Sequence, residues 1–247
     1  MSLEGKIAEL VAATNGLINT FIGKRQEIDK AVERAVTTIP KNERTYYVDA
    51  ISGLDSNAGE RNSPFATIQK ALDLTPVGGV CTVFLLTDYA LRTGVGVNGR
   101  YLRLSGIKDG GARVKIIPDY YPSPNNESWI GRFACGCGGA VEVNNIDLVL
   151  PSSAGVAPAP SKNHVTSFVN SAMDGGQAVV SLKLNNCNIS APDDFIGTLI
   201  GCPTGFLVLQ CNGVNFPDNF GGKYIHQVAA KTDPATLVNA RTNLKNL

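Results

Sequence analysis

The residue types best suited to chemistry crowd into one stretch, YYVDAISGLDSNAGERNSPFATIQKAL, from Tyr46 to Leu72. Asp55, Asn57, Gly59 and Glu60 space oxygen-bearing side chains among small residues, a pattern open to a cation loop or a carboxylate pair. The same residues form turns, because Asp and Asn side chains bond nearby backbone and glycine accepts a left-handed conformation. The second reading is favoured. It makes Asp55, Asn57 and Gly59 turn formers that return a first strand to a helix, whose Phe65, Ile68 and Leu72 face closes the end of a core.

Other candidates fail on context. Gly94, Gly96 and Gly99 spell G-x-G-x-x-G, but a dinucleotide site needs a helix next and Arg100-Tyr-Leu-Arg-Leu continues as strand. His164 and His226 are the only histidines, and neither has a serine elbow or metal-spaced partner nearby. Cys135-Gly-Cys137 has the wrong spacing for zinc or redox work. The six cysteines, Cys81, Cys135, Cys137, Cys187, Cys202 and Cys211, read as reduced and mostly buried thiols, because no secretion signal precedes them. No metal, cofactor or catalytic residue is expected.

Glycoside cleavage would need two carboxyl groups about 5 to 10 Å apart. Asp88, Asp109, Asp119, Glu127, Glu142, Asp147, Asp174, Asp193, Asp194 and Asp218 are available, with Asp193 and Asp194 read as starting a turn after Pro192. Sugar contact is better served by DYYPSPNNESW, Asp119 to Trp129. There Tyr120, Tyr121 and Trp129 offer ring faces, and Asn125 and Asn126 can bond hydroxyls. The competing role for this loop is an excursion whose tyrosines pack on an adjoining protomer.

The elements that position these residues fall into segments. From Leu3 to Ala35 apolar residues step by four and three through Leu3, Ile7, Leu10, Leu17, Phe21 and Ile28, interrupted by Thr14 and Lys24. Val11, Ile18 and Val32 widen the stripe, so a trimeric coiled coil is expected over 1–36. Gly16 and Gly23 each cost about 1 kcal/mol against Ala, which makes the helix marginal unless bundled. A linker, 37–44, follows. From 45 to 222 short β-rich runs dominate, with one amphipathic helix over 64–74 capped by Ser63 with Pro64 in its first turn. In 223–247 Asp233, Pro234 and the spacing of Leu237, Ala240, Leu244 and Leu247 predict a short C-terminal helix.

Four pieces of the β segment share one phase: LRLSGIK from Leu102, VEVNNIDL from Val141, LKLNNCNI from Leu182 and LQCNGVNF from Leu209. Apolar residues stand one and three places before Ser105, Asn144, Asn185 or Asn212, and another stands two places after it. Alternation around a bend, repeated at fixed phase, predicts stacked coils and hence a parallel β-helix. The net charge of +1, with Lys and Arg scattered singly, argues against nucleic acid. No apolar run approaches membrane-spanning length, so no membrane insertion is expected.

A heptad stalk, then Tyr46 to Asp49, Gly53, Asp55, Asn57, Gly59 and Pro64 to Leu72, then coils, resembles the tail fibre and tailspike proteins of bacteriophages. The resemblance implies a mainly β fold: a short right-handed parallel β-helix, trimeric, with an N-terminal coiled coil. It implies a structural subunit in the virion tail, assembled in the host cytoplasm and contributing to host surface recognition. Its partners would be its own copies, tail or baseplate proteins at the N-terminal helix and a bacterial surface glycan; the terminal helix raises another fibre protein as a further partner. Many relatives cleave polysaccharide, so a depolymerase is the alternative, although no catalytic motif of theirs maps onto this chain.

Overall fold

The computed structural model describes residues 2–38, 42–107, 112–171 and 179–247, with backbone alone for 34–38. Asp109, Asp174 and positions 39–41 of the expected linker lie outside the described residues. The chain divides into two units, Met1–Lys41 and Asn42–Leu247.

The first unit is one helix, α1 (Leu3–Thr38). Ser2 Oγ accepts from Gly5 N at 3.3 Å, and Lys24–Glu27 and Arg25–Asp29 pair along the surface at 2.7 and 3.9 Å. Its apolar stripe is uncovered: Leu3 is 76% exposed and Phe21 68%. This corrects the expected coiled coil. A heptad pattern fixes which face of a helix is apolar, whereas a coiled coil needs a second helix on that face, and α1 is the only long helix among the described residues.

The second unit winds. After β1 (Glu43–Val48) and α2 (Ile68–Asp73), one circuit lays down β2 (Val80–Leu85), β3 (Tyr89–Leu91) and β4 (Gly94–Gly96). The next has β5 (Tyr101–Gly106) and β6 (Val114–Pro118), a hairpin of β7 (Tyr120–Pro122) and β8 (Ser128–Ile130), then β9 (Arg132–Ala134). Two more follow as β10 (Gly139–Asn144), β11 (Ile146–Val149), β12 (Ser167–Asn170), and β13 (Val179–Asn185), β14 (Ile189–Ser190), β15 (Thr198–Gly201). The chain closes with β16 (Phe206–Asn212) and β17 (Ala240–Thr242). Each circuit adds one strand to each of three sheets, ordered β1-β2-β5-β10-β13-β16-β17, β3-β6-β11-β14 and β4-β9-β12-β15. Every pairing in these sheets is parallel; only β7 and β8 pair antiparallel.

The chain is therefore mixed α/β, with 20% helix and 36% strand and parallel sheets dominant. It is not the mainly β fold with an N-terminal coiled coil that the sequence suggested. The helical share comes from α1, and the expected C-terminal helix is absent. Asp233 does cap, accepting from Ala235 N at 2.9 Å, but the turn it starts ends at Thr236. Ala240 then pairs with Leu207 in the large sheet, and Ala240 and Leu247 bury their side chains there. Pairing on an existing sheet edge outweighs the local helix signal, so a partner fibre protein has no terminal helix to engage.

The repeated fragments do align. Ser105, Asn144, Asn185 and Asn212 sit opposite one another across β5, β10, β13 and β16, and the flanking Leu102, Leu104, Val141, Val143, Leu182, Leu184, Leu209 and Cys211 are buried. Their amides form a ladder. Asn185 Nδ2 donates to Asn144 Oδ1 at 2.8 Å, Asn212 Nδ2 to Asn185 Oδ1 at 2.9 Å and Asn243 Nδ2 to Asn212 Oδ1 at 3.2 Å. The bend falls one residue later, where Asn145, Asn186 and Gly213 take φ of 56°, 52° and 60°. Asn186 Nδ2 bonds Asn145 Oδ1 at 2.6 Å, and a further ladder joins Asp147, Asn188 and Asn215 at 2.8 and 2.7 Å.

The Tyr46–Leu72 stretch shapes the first turn of this stack. Asp55 Oδ1 accepts from Ala66 N and Thr67 N at 3.0 and 2.9 Å, its Oδ2 accepts from Thr67 Oγ1 at 2.8 Å, and Asn57 Nδ2 donates to Pro64 O at 2.9 Å. Gly53 is obligatory, because a Cβ there would lie 2.2 Å from Phe65 O. Phe65, Ile68 and Leu72 are fully buried. The helix is shorter than expected: Thr67, not Ser63, caps α2, since Phe65 N donates to Tyr47 O and Phe65 O accepts from Asp49 N, both at 2.9 Å. That strand-like pairing keeps Pro64 and Phe65 out of the helix.

Asn185 also donates to Glu142 Oε1 at 2.9 Å, so Asn185→Ala removes several bonds from the ladder's centre. The expected cost is about 1 to 3 kcal/mol in chemical denaturation, while Asn125→Ala in the exposed hairpin turn stays within about 0.5 kcal/mol.

Candidate glycan-contact site

The hairpin departs from the winding pattern and carries the aromatic residues singled out for sugar contact. Ser123 Oγ accepts from Asn125 N at 3.2 Å, and Asn126 takes φ 57°, so DYYPSPNNESW turns tightly. Strand alternation then sends the two tyrosines opposite ways. Tyr120 packs against the core. Its hydroxyl is buried without a partner, and burial together with the Asp194 charge pushes its pKa up to about 12. Tyr120 is thereby removed from the contact set. Tyr121 stands opposite Trp129, their rings edge to face with centroids 6.4 Å apart, and Asn125 and Asn126 are exposed at the tip.

Arg132, which no local sequence signal marks, completes the arrangement. Its guanidinium lies 4.7 Å from the Trp129 ring centroid and 5.9 Å from that of Tyr121, and its Nη1 donates to Tyr121 Oη at 2.5 Å. Beside it runs an open groove of 570 Å³ whose wall includes Gly94, Asn98, Tyr121, Arg132 and Cys137. Gly94 and Gly96 of the G-x-G-x-x-G run form β4 here, with no helix behind them.

No protein-family model, curated protein or solved structure matches this chain.

Most of the described carboxylates bond within the structure. Glu127 accepts from Trp129 Nε1 at 2.8 Å and from Ser161 Oγ, bonds that hold its carboxyl below the ordinary range. Burial alone would raise Glu142, but bonds from Tyr101, Lys183 and Arg103 outweigh it and lower its pKa. Asp194 is lowered by Ser152 Oγ at 2.6 Å and the Ala154 amide at 2.8 Å. Asp147 pairs with Arg113 at 3.6 Å, Asp88 Oδ1 accepts from Lys115 N at 3.0 Å, Asp119 accepts from Tyr120 N at 2.8 Å, Asp193 accepts from Asn219 and Asp218 begins a short turn. Glu127, Glu142 and Asp194 all shift toward staying ionised, opposite to a general acid. Among the described residues no three His, Cys, Asp or Glu groups could hold a metal. All six cysteines are free, and only Cys137 is exposed.

The winding brings together the two histidines that sequence distance had separated. The His164 and His226 rings lie 6.4 Å apart, edge to face. Desolvation lowers both pKa values, helped by Arg132 at His164 and by His164 at His226. With folded-state values below the ordinary 6.5, the unfolded chain binds more protons as pH falls, so stability is full above about 6.5 and declines below it. Glu127, lowered from 4.5, adds its loss only at still lower pH. The expected melting temperature is level from about pH 8 to 7 and falls from about 6.5 downward. His226→Asn flattens the first part of that fall and leaves the part due to carboxylates.

Proposed function

We propose that this chain is a structural subunit of a bacteriophage tail fibre, which assembles with copies of itself and touches a bacterial surface glycan through the hairpin. The observation that carries the reading is the uncovered stripe of α1, where Leu3, Ile7, Leu10, Leu17, Phe21 and Ile28 are each more than half exposed. So long an apolar face is a liability unless another surface covers it. Tail or baseplate proteins are the occupants proposed for this face, with copies of the same chain, three by the resemblance, as further partners and the virion tail as the setting.

The body supports the same role. Its polar side chains bond to one another along the stack, as suits a structural body. The hairpin offers sugar-sized ring faces at Tyr121 and Trp129, with Asn125 and Asn126 beside them. A polysaccharide depolymerase is the weaker reading, because it requires a carboxyl group held protonated and Asp49, Glu127, Glu142 and Asp194 all shift the other way.

Light scattering on the full chain should give three times the mass of a single chain. A single-chain mass overturns the assembly reading. New reducing ends or unsaturated products from host capsule or lipopolysaccharide would establish the depolymerase instead.

A further inference from the structure

We propose that Arg132, held between Tyr121 and Trp129, is the receptor for a carboxylate-bearing sugar, so that the glycan met at this face is an acidic polysaccharide. The inference rests on the glycan-contact reading above and adds the charge of the ligand.

Arg132 is 8% exposed, the arginine that counts as buried among the described residues. Among the described residues it is also without a counter-ion. Arg103 reaches Glu142 at 3.3 Å and Arg113 reaches Asp147 at 3.6 Å, although both arginines are more exposed; among the described residues no carboxylate lies within 4.0 Å of Arg132. Its Nη1 bonds only neutral oxygens, Tyr121 Oη at 2.5 Å and Ile130 O at 3.4 Å, and its Nε is buried with no partner. A guanidinium taken out of water is costly unless an anion pairs with it, and two aromatic faces offset that cost only in part.

The groove side of the guanidinium is left open by the absence of a side chain. A Cβ on Gly94 would stand 3.6 Å from Tyr121 Oη, 3.7 Å from Arg132 Cζ and 3.8 Å from Nη2, so a single methyl group would cover this side of the guanidinium. Nη2 makes no hydrogen bond among the described residues, whereas Nη1 is engaged and Nε is buried, so Nη2 is left to donate to a carboxylate oxygen. A dianionic phosphate would bring one charge more than Arg132 can match, the single cation on the groove wall among the described residues. Tyr121, which also lines the groove, then stands where a sugar carrying that carboxylate would meet its ring.

Trp129 is the sole tryptophan, so its emission reports this site directly. The full chain is titrated with trigalacturonate, with a neutral galactose trisaccharide and with glucose 6-phosphate. The expected result is a saturable change with trigalacturonate, weakened by added salt and by at least about tenfold in Arg132→Gln. Gly94→Ala provides the variant that keeps the fold, because its methyl meets only ordinary contact distances; it too should bind about tenfold more weakly while melting like the parent. A folded Gly94→Ala protein that binds trigalacturonate as well as the parent overturns the proposal. Equal affinity for the neutral trisaccharide overturns the acidic ligand and leaves glycan contact standing. A response to glucose 6-phosphate alone replaces the carboxylate by a phosphate, and no response to any of the three overturns both readings.

Discussion

Asn145 and Asn186 hold left-handed backbone conformations, which for a residue with a side chain cost about 1 to 2 kcal/mol each. Asparagine lowers that cost by bonding locally, and here the bonds run between circuits. Asn186 Nδ2 reaches Asn145 Oδ1, and Arg113 clamps Asn186 through its carbonyl at 2.7 Å and its Oδ1 at 2.8 Å. Each bend is thus stabilised by the bend above or below it. Where Gly213 takes the same position, φ 60° comes without a side chain. The strand before the bend joins the seven-stranded sheet and the strand after it joins a four-stranded one. Register across both sheets depends on these turns, because a slip by one residue would send Leu102, Val141, Leu182 and Leu209 from the core to solvent.

That constraint explains where chemistry can and cannot sit. Outward side chains within a circuit meet their equivalents in the next, so they form ladders: Asn144 with Asn185 and Asn212, Asp147 with Asn188 and Asn215. A side chain engaged above and below has less of its bonding capacity left for a ligand. Freedom returns only where the chain leaves the winding path, as it does between β6 and β9. The hairpin has no equivalent in neighbouring circuits, and its Tyr121, Trp129 and Arg132 bond or stack among themselves.

The phase of the repeated fragments was legible because burial at alternate positions leaves a mark that any stacked coil must carry. The bend itself was read one residue early: the side chain that ladders, Asn144 or Asn185, precedes the one whose backbone turns, and the pairs Asn144-Asn145 and Asn185-Asn186 held both signals side by side. Helix extents were misjudged at both ends of the second unit for one reason. Ser63 with Pro64, and Asp233 with Pro234, are sound local start signals, but strand pairing by Phe65 and by Ala240 overrides them. The heptad stripe of α1 was read correctly as a pattern and over-read as an assembly, since one chain's sequence fixes a face and not its occupant. The His164–His226 contact and the place of Arg132 left no local trace, because both depend on which circuits become neighbours.

Glu142 and Arg132 are nearly equally buried, 7% and 8% exposed, and their surroundings separate structural charge from available charge. Glu142 has the Tyr101 hydroxyl, Arg103 Nε at 3.3 Å, Lys183 Nζ at 3.1 Å and Asn185 Nδ2 at 2.9 Å. Two cations and two neutral donors saturate one carboxylate, and a further ligand would have to displace a bond already made. Arg132 has neutral oxygens, ring faces and one unpartnered nitrogen. Low local polarity strengthens any bond made there and raises the cost of one left unmade. Glu142 sits in the middle of a sheet, where β5 and β13 supply partners from both sides in fixed register. Arg132 sits where the hairpin returns to the stack, and its strand neighbour in β4 is Gly94, which brings no side chain at all. The same winding that completes one charge leaves the other open to the groove.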